Sequence, residues 1–205
     1  MFKLIHPPTG THRIEFDSSS PLAGKKRWVG RRTGARRHRT NLVKALATTL
    51  ANDSLPTFAL LHVDGDVAWS DARQSENLQA FYRDLLPAVR RALETHGFPA
   101  ERIRHLHVIA PFYTLESWLY QAVGQARQLL GTRNHAVEKT LWDEWAETPE
   151  TLDEVVRPWS LTALRKDNNA RLVSHFPRDR VLAVKKSFAA TVFGLSLDSA
   201  LVRAL

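Results

Sequence analysis

Apolar and polar positions along this chain switch between a period of two and a period near 3.6, and the switches predict alternating strands and helices. Phe2 to Ile5 and His12 to Phe16 are short runs of strand character, separated by the turn residues Pro7, Pro8 and Gly10. Between Asn41 and Ala51, Leu42, Ala45, Leu46 and Leu50 fall on one helical face, and Asn52, Asp53 and Ser54 close the segment. Thr57 to Val63 is a nearly continuous apolar run ending at Asp64, the pattern of a strand covered on both faces. A polar loop leads through Asp71 to a helix from Gln74 to His96, with Leu78, Phe81, Leu85, Val89 and Leu93 facing inward. Pro87 is predicted to kink or split that helix, because it has no N–H to give to the preceding turn.

Ile103 to Ala110 repeats the strand pattern and stops at Pro111, and Thr114 opens a helix that runs to Leu130. Asn134 to Arg157 reads as helical and acidic, with Thr148 and Pro149 as cap and first helical position. Arg180 to Val184 reads as a last strand, and Ser187 as the start of a last helix. Strands and helices alternating at these lengths predict an α/β protein, with a mainly parallel sheet flanked by helices and right-handed crossovers. Residues 1–133 then form the α/β core, and residues 134–205 a mainly helical C-terminal part that completes or caps it.

Composition narrows this reading. The 205 residues fit one domain, or one domain with a small appendage, and are enough to bury a core without staples. The absence of cysteine excludes disulfides and thiolate metal sites and fits a reducing compartment. No stretch approaches the roughly 18 apolar residues of a membrane span, and prolines interrupt the N-terminus at once. The expectation is a cytoplasmic protein with no membrane partner.

Charge changes the picture more. Between Gly24 and Thr40 stand Lys25, Lys26, Arg27, Arg31, Arg32, Arg36, Arg37 and Arg39, with no acid among them. Setting these eight aside leaves 21 Lys and Arg against 21 Asp and Glu, so the whole net charge of +8 lies in this one segment. Gly24, Gly30 and Gly34 mark the segment as a loop. Its charge density suits a phosphate backbone, and Trp28 within it is a candidate for stacking on an exposed base. The alternatives are a solvated loop or an arm that pairs with acids elsewhere.

Chemistry concentrates at Asp64-Gly65-Asp66. In an extended segment residues i and i+2 point the same way, so the two carboxylates could share one hard divalent cation. A polar turn after a strand explains the same residues. Glu116 lies early in the helix after the next strand and would join the pair if the two strands are neighbours; it also complements a helix dipole.

A buried strand ending in Asp-x-Asp, a helix, and a strand followed by Pro-x-x-x-x-Glu-x-Trp-Leu, as from Pro111 to Leu119, resembles the TOPRIM-like proteins. This is the metal-binding domain of topoisomerases, primases, OLD-family endonucleases and several small proteins of bacterial defence loci. The likeness spans Thr57 to Tyr120, with a looser echo at Lys185, Lys186, Ser187 and Phe188. It implies a Mg²⁺ (or Mn²⁺) site with Asp64, Asp66 and Glu116 as ligands. It also implies Glu15 as the N-terminal Glu of the family, and a basic residue, Lys185 or Lys186, near the metal to stabilise phosphoryl charge. The chain departs from the pattern after Glu15, where a long basic segment replaces a Gly-containing turn, so catalytic competence is open.

Among the nine histidines, His105 and His107 share one strand face with His62 on the neighbouring strand. Hydrogen-bonded core histidines explain them more simply than zinc. Two function classes follow. One is a Mg²⁺-dependent nuclease, a hydrolase of nucleic-acid phosphodiesters, working beside a protein partner such as an ATPase or another subunit of a defence complex. The other is a non-catalytic module that binds nucleic acid or an acidic partner through the Arg-rich segment.

Overall fold

A computed structural model of the chain describes residues 2–5, 13–16, 29, 33–52, 58–113, 115–119, 121–130, 152–154 and 172–204. The acidic helix expected at 134–157 lies outside the described residues except at 152–154, and so do Trp142, Trp145 and Trp159. Four strands, β1 (Phe2–Ile5), β2 (Arg13–Phe16), β3 (Ala59–His62) and β4 (Leu106–Ile109), form a sheet of order β2-β1-β3-β4. β3 and β4 are parallel, with Ala59 opposite Leu106 and His62 opposite Ile109. β1 is antiparallel to β2 and to β3. The protein is therefore mixed α/β, and the expected parallel pairing is confined, among the described residues, to β3 and β4. The N-terminal segment adds two consecutive strands that pair antiparallel.

The chain divides into two compact units. The first comprises residues 1–63, 76–109 and 191–205. Its core is built by α1 (Thr33–Leu50) packing on the helical stretch that ends in α3 (Leu86–Thr95), with Leu46, Leu85, Val89 and Leu93 fully buried. Burying each such side chain contributes about 1.5–3 kcal/mol. α1 begins eight residues earlier than Asn41, so its first turns take up part of the segment expected to be a loop. Ala35 explains the difference. It is buried on the same face as Leu42, Leu46 and Leu50, and that tertiary burial outweighs the glycine and arginine of the first turn. At its other end Arg102 Nη1 donates to the carbonyls of Leu50 (3.0 Å) and Asn52 (3.3 Å), satisfying orphan acceptors at a helix C-terminus.

The long helix expected from Gln74 to His96 is instead a 3₁₀ turn (Trp69–Gln74), α2 (Glu76–Ala80), a π-helical turn (Phe81–Leu85) and α3. Pro87 stands at the join. It cannot donate to the preceding turn, and the register opens by one residue, with the Leu86 N–H reaching the Phe81 carbonyl.

The second unit comprises residues 64–75 and 110–190. It holds α4 (Glu116–Leu119) and α5 (Val123–Leu130), where a single helix was expected, and α6 (Arg178–Ala183). α6 replaces the strand expected at Arg180 to Val184. Only Val181 of that run is buried, Ala183 is exposed, and Asp179 complements the helix dipole in the first turn. α7 (Ser187–Ser196) starts where expected, and α8 (Ser199–Ala204) follows it. No helix among the described residues is long and apolar enough to cross a membrane.

Candidate functional site

The Asp-Gly-Asp turn follows β3 directly. Its backbone is tied by the Gly65 N–H to the Pro111 carbonyl at 2.9 Å, beside the segment that leads from β4 towards α4. Phe112 is buried over Gly65, and a Cβ built on Gly65 would lie 2.8 Å from its ring. Glycine is therefore required here for close approach. Trp69 meets the Phe112 ring edge to face, with centroids 5.0 Å apart.

Asp64 is half-buried, with its Oδ1 atom inaccessible to solvent, whereas Asp66 is exposed. Asp66 has φ of 57°, so the turn is left-handed there rather than extended. The expectation that residues 64 and 66 point the same way assumed an extended backbone, which the chain does not have at Asp66. Glu116 is the first residue of α4, three residues beyond Tyr113, which is itself left-handed with φ of 62°. The Glu116 side chain lies outside the described residues. Among the described residues no group of three or more His, Asp or Glu is gathered to hold a metal ion.

A buried polar network that the sequence did not announce holds the loop after Asp66. Asp153 is fully buried with φ of 67°. Its carbonyl accepts from the Trp69 N–H at 2.8 Å, and its Oδ1 accepts from Ser117 Oγ at 3.1 Å. Its Oδ2 accepts from the Ser187 N–H at 3.2 Å and from the Ser187 hydroxyl. Trp118 Nε1 in turn donates to Ser187 Oγ at 2.7 Å. A buried carboxylate thus faces the first turn of α7, where the helix dipole favours negative charge. The neighbouring Glu154 accepts from the Ser70 N–H at 3.2 Å and pairs with Lys186 Nζ at 3.0 Å. Burial works to raise the Glu154 pKa, but Lys186 and Ser70 outweigh it and hold the carboxyl below its ordinary range. Asp153 and Glu154 lie in the run from Asn134 to Arg157 that reads as helical and acidic, so no local signal marks them.

Lys185, the expected phosphoryl-stabilising residue, is exposed with φ of 56°, while Lys186 makes the ion pair. Glu15 lies in β2 opposite Lys3 in the register, and its side chain is outside the described residues. Of the basic segment, Lys25, Lys26, Arg27, Trp28, Arg31 and Arg32 are also outside, whereas Arg36, Arg37 and Arg39 lie on the first turns of α1.

In the first unit, His105 Nδ1 and His107 Nε2 meet the same oxygen, Asp198 Oδ2, at 2.8 and 3.0 Å. Asp198 Oδ1 accepts from the N–H groups of Ala200 (3.0 Å) and Leu201 (3.2 Å), capping α8. Burial works to raise the Asp198 pKa, and the hydrogen bonds from His105, Leu201 and His107 outweigh it, leaving it lowered. Burial pushes the His107 pKa down. These two histidines are hydrogen-bonded and half-buried, and His62 is exposed.

The chain matches no protein-family model, no curated protein and no solved structure.

Proposed function

We propose that this chain is a Mg²⁺-dependent protein of TOPRIM-like type that cleaves nucleic-acid phosphodiesters. The observation that carries the reading is the Gly65 N–H to Pro111 carbonyl bond, which ties the Asp-Gly-Asp turn to the segment leading into α4 and Glu116. β3 and β4 are parallel neighbours, the topology in which ligands bind beyond the carboxyl ends of strands. The donor set fits the ion: carboxylate oxygens on a half-buried and an exposed residue leave room for water and substrate oxygens, as Mg²⁺ prefers. A bound divalent cation supplies a Lewis acid for the phosphate oxygen and a water of lowered pKa. Asp64 and Asp66 would hold it, Glu116 would complete the set, and the Asp153–Glu154 network fixes the backbone that follows. The Arg-rich segment retains the substrate backbone, and a partner subunit supplies any switching.

The second reading is a non-catalytic binder of nucleic acid, favoured by the left-handed, exposed Asp66, which suits an ordinary polar turn. One experiment separates them. Mg²⁺ and Mn²⁺ are titrated calorimetrically into wild type and the Asp64→Asn/Asp66→Asn variant, with oligonucleotide cleavage measured on the same preparations. The nuclease reading expects saturable metal binding and cleavage in wild type, each lost in the variant. Cleavage that survives unchanged in the variant removes the carboxylates from the mechanism.

A further inference from the structure

The first unit carries a cavity of about 660 Å³ bounded by α1, α2, the π-helical turn and α3. Its wall holds four arginines, Arg36, Arg39, Arg83 and Arg91, against two acids, Glu76 and Asp84. Ala80 and Ala88 leave space between the long side chains. Arg83 and Arg91 lie some 50 residues from the basic segment in sequence, and no motif ties them to it.

The four guanidinium groups are not equivalent. Asp84 accepts from Arg83 Nε at 2.9 Å and Nη2 at 3.1 Å, and Arg39 Nη1 stands 3.8 Å from the same carboxylate. The hydrogen bond from Arg83 holds the Asp84 carboxyl below its ordinary range, so it stays charged and keeps this pair oriented. The guanidinium groups of Arg36 and Arg91 have no carboxylate partner among the described residues. A guanidinium carries five N–H donors, so even the tethered pair retains donors for a further anion.

Helix energetics point the same way. The first turn of α1 contains Arg36 and no acid, and Arg37 and Arg39 follow at once. Cations at a helix N-terminus work against the dipole, by about 0.3–1 kcal/mol each at exposed positions. Arg36 is therefore unfavourably placed for the isolated helix, and a bound anion offsets that cost.

We infer that this cavity is a clamp for a nucleic-acid backbone, in which Arg36 of α1 and Arg91 of α3 grip phosphates and Asp84 pre-positions Arg39 and Arg83. The inference rests on the nucleic-acid part of the function proposed above and extends it to residues of α3 and the π-helical turn. Arg90 provides the control, since it is exposed beside Arg91 on α3 but does not line the cavity.

The test measures anisotropy of a labelled oligonucleotide with the full chain in EDTA, so that binding is read without metal or cleavage. Arg91→Gln and Arg36→Gln are each expected to weaken binding on the order of tenfold and to lower the salt slope by about one. Arg90→Gln removes the same charge and is expected to leave both within twofold. Equal effects at Arg90 and Arg91 would mean a diffuse field and overturn the clamp. Absence of oligonucleotide binding by wild type would overturn it too, and would turn the basic face towards an acidic protein. Because Asp64→Asn/Asp66→Asn is read by cleavage and metal binding, failure of the metal reading and failure of the clamp give different results.

Discussion

At the scale of single residues, Asp153 concentrates the most physical consequence. It is a fully buried carboxylate on a left-handed backbone, and it satisfies donors from Ser117 and Ser187 while its carbonyl takes the Trp69 N–H. Removing the carboxylate leaves those donors buried without an acceptor, at about 1–3 kcal/mol for each group. Asp and Ala both carry the cost of a left-handed backbone, about 1–2 kcal/mol for a non-glycine residue. Asp153→Gly loses the same carboxylate but relieves that backbone cost. Thermal unfolding of the pair is therefore expected to show both variants destabilised, with alanine the worse. Equal melting temperatures for wild type and alanine variant would mean that the buried network contributes nothing to stability.

At the scale of elements, strand β4 and helix α8 are joined by one carboxylate, and this gives the fold a pH dependence whose sign can be worked out. His107 has a folded pKa below its ordinary 6.5, so the unfolded chain takes the proton first. The contribution is fully present above pH 6.5 and is lost as pH falls from 6.5 through the lowered folded value. Asp198 adds a second loss further down, beginning below its ordinary 3.8 and completed as pH falls through its lowered folded value. His107→Gln keeps a donor to Asp198 but removes the titration. It is expected to flatten the decline of the melting temperature just below pH 6.5 and to leave the lower step in place. An unchanged profile would assign the upper step elsewhere. Local elements such as β3, β4 and the start of α7 were legible because a few consecutive side chains decide them. The bonds from His105 and His107 to Asp198 were not, since they span 93 and 91 residues and no periodicity encodes such a meeting. The start of α1 was misread for a related reason: the glycines and arginines are local, whereas burial of Ala35 is tertiary.

At the scale of the whole molecule, the excess charge was fully legible, because counting residues locates all of it between Lys25 and Arg39. That Arg36 and Arg39 share a cavity with Arg83 and Arg91 was not, because it depends on how α1 packs against α3. The candidate metal site divides in the same way, with Asp64 and Asp66 readable as a motif and the Gly65 to Pro111 tie visible only in the fold. The two levels make separable demands on binding. Changing the eight cations of the segment to Gln brings the formal net charge from +8 to zero. If long-range attraction to phosphates supplies affinity, the slope of log K against log salt should fall by about 0.9 for each duplex phosphate contact that is lost. The cavity cations Arg83 and Arg91 remain, so a residual salt-dependent binding is expected to survive and to disappear when Arg91→Gln is added. Folding should not suffer, since the substitution at Arg36 removes a cation that opposes the α1 dipole, and the melting temperature is expected to hold or rise. A slope that stays at the wild-type value after all eight changes would separate the charge of this segment from nucleic acid altogether. The basic segment would then be a surface for a protein partner, and the cavity on α3 would have to explain any remaining affinity by itself.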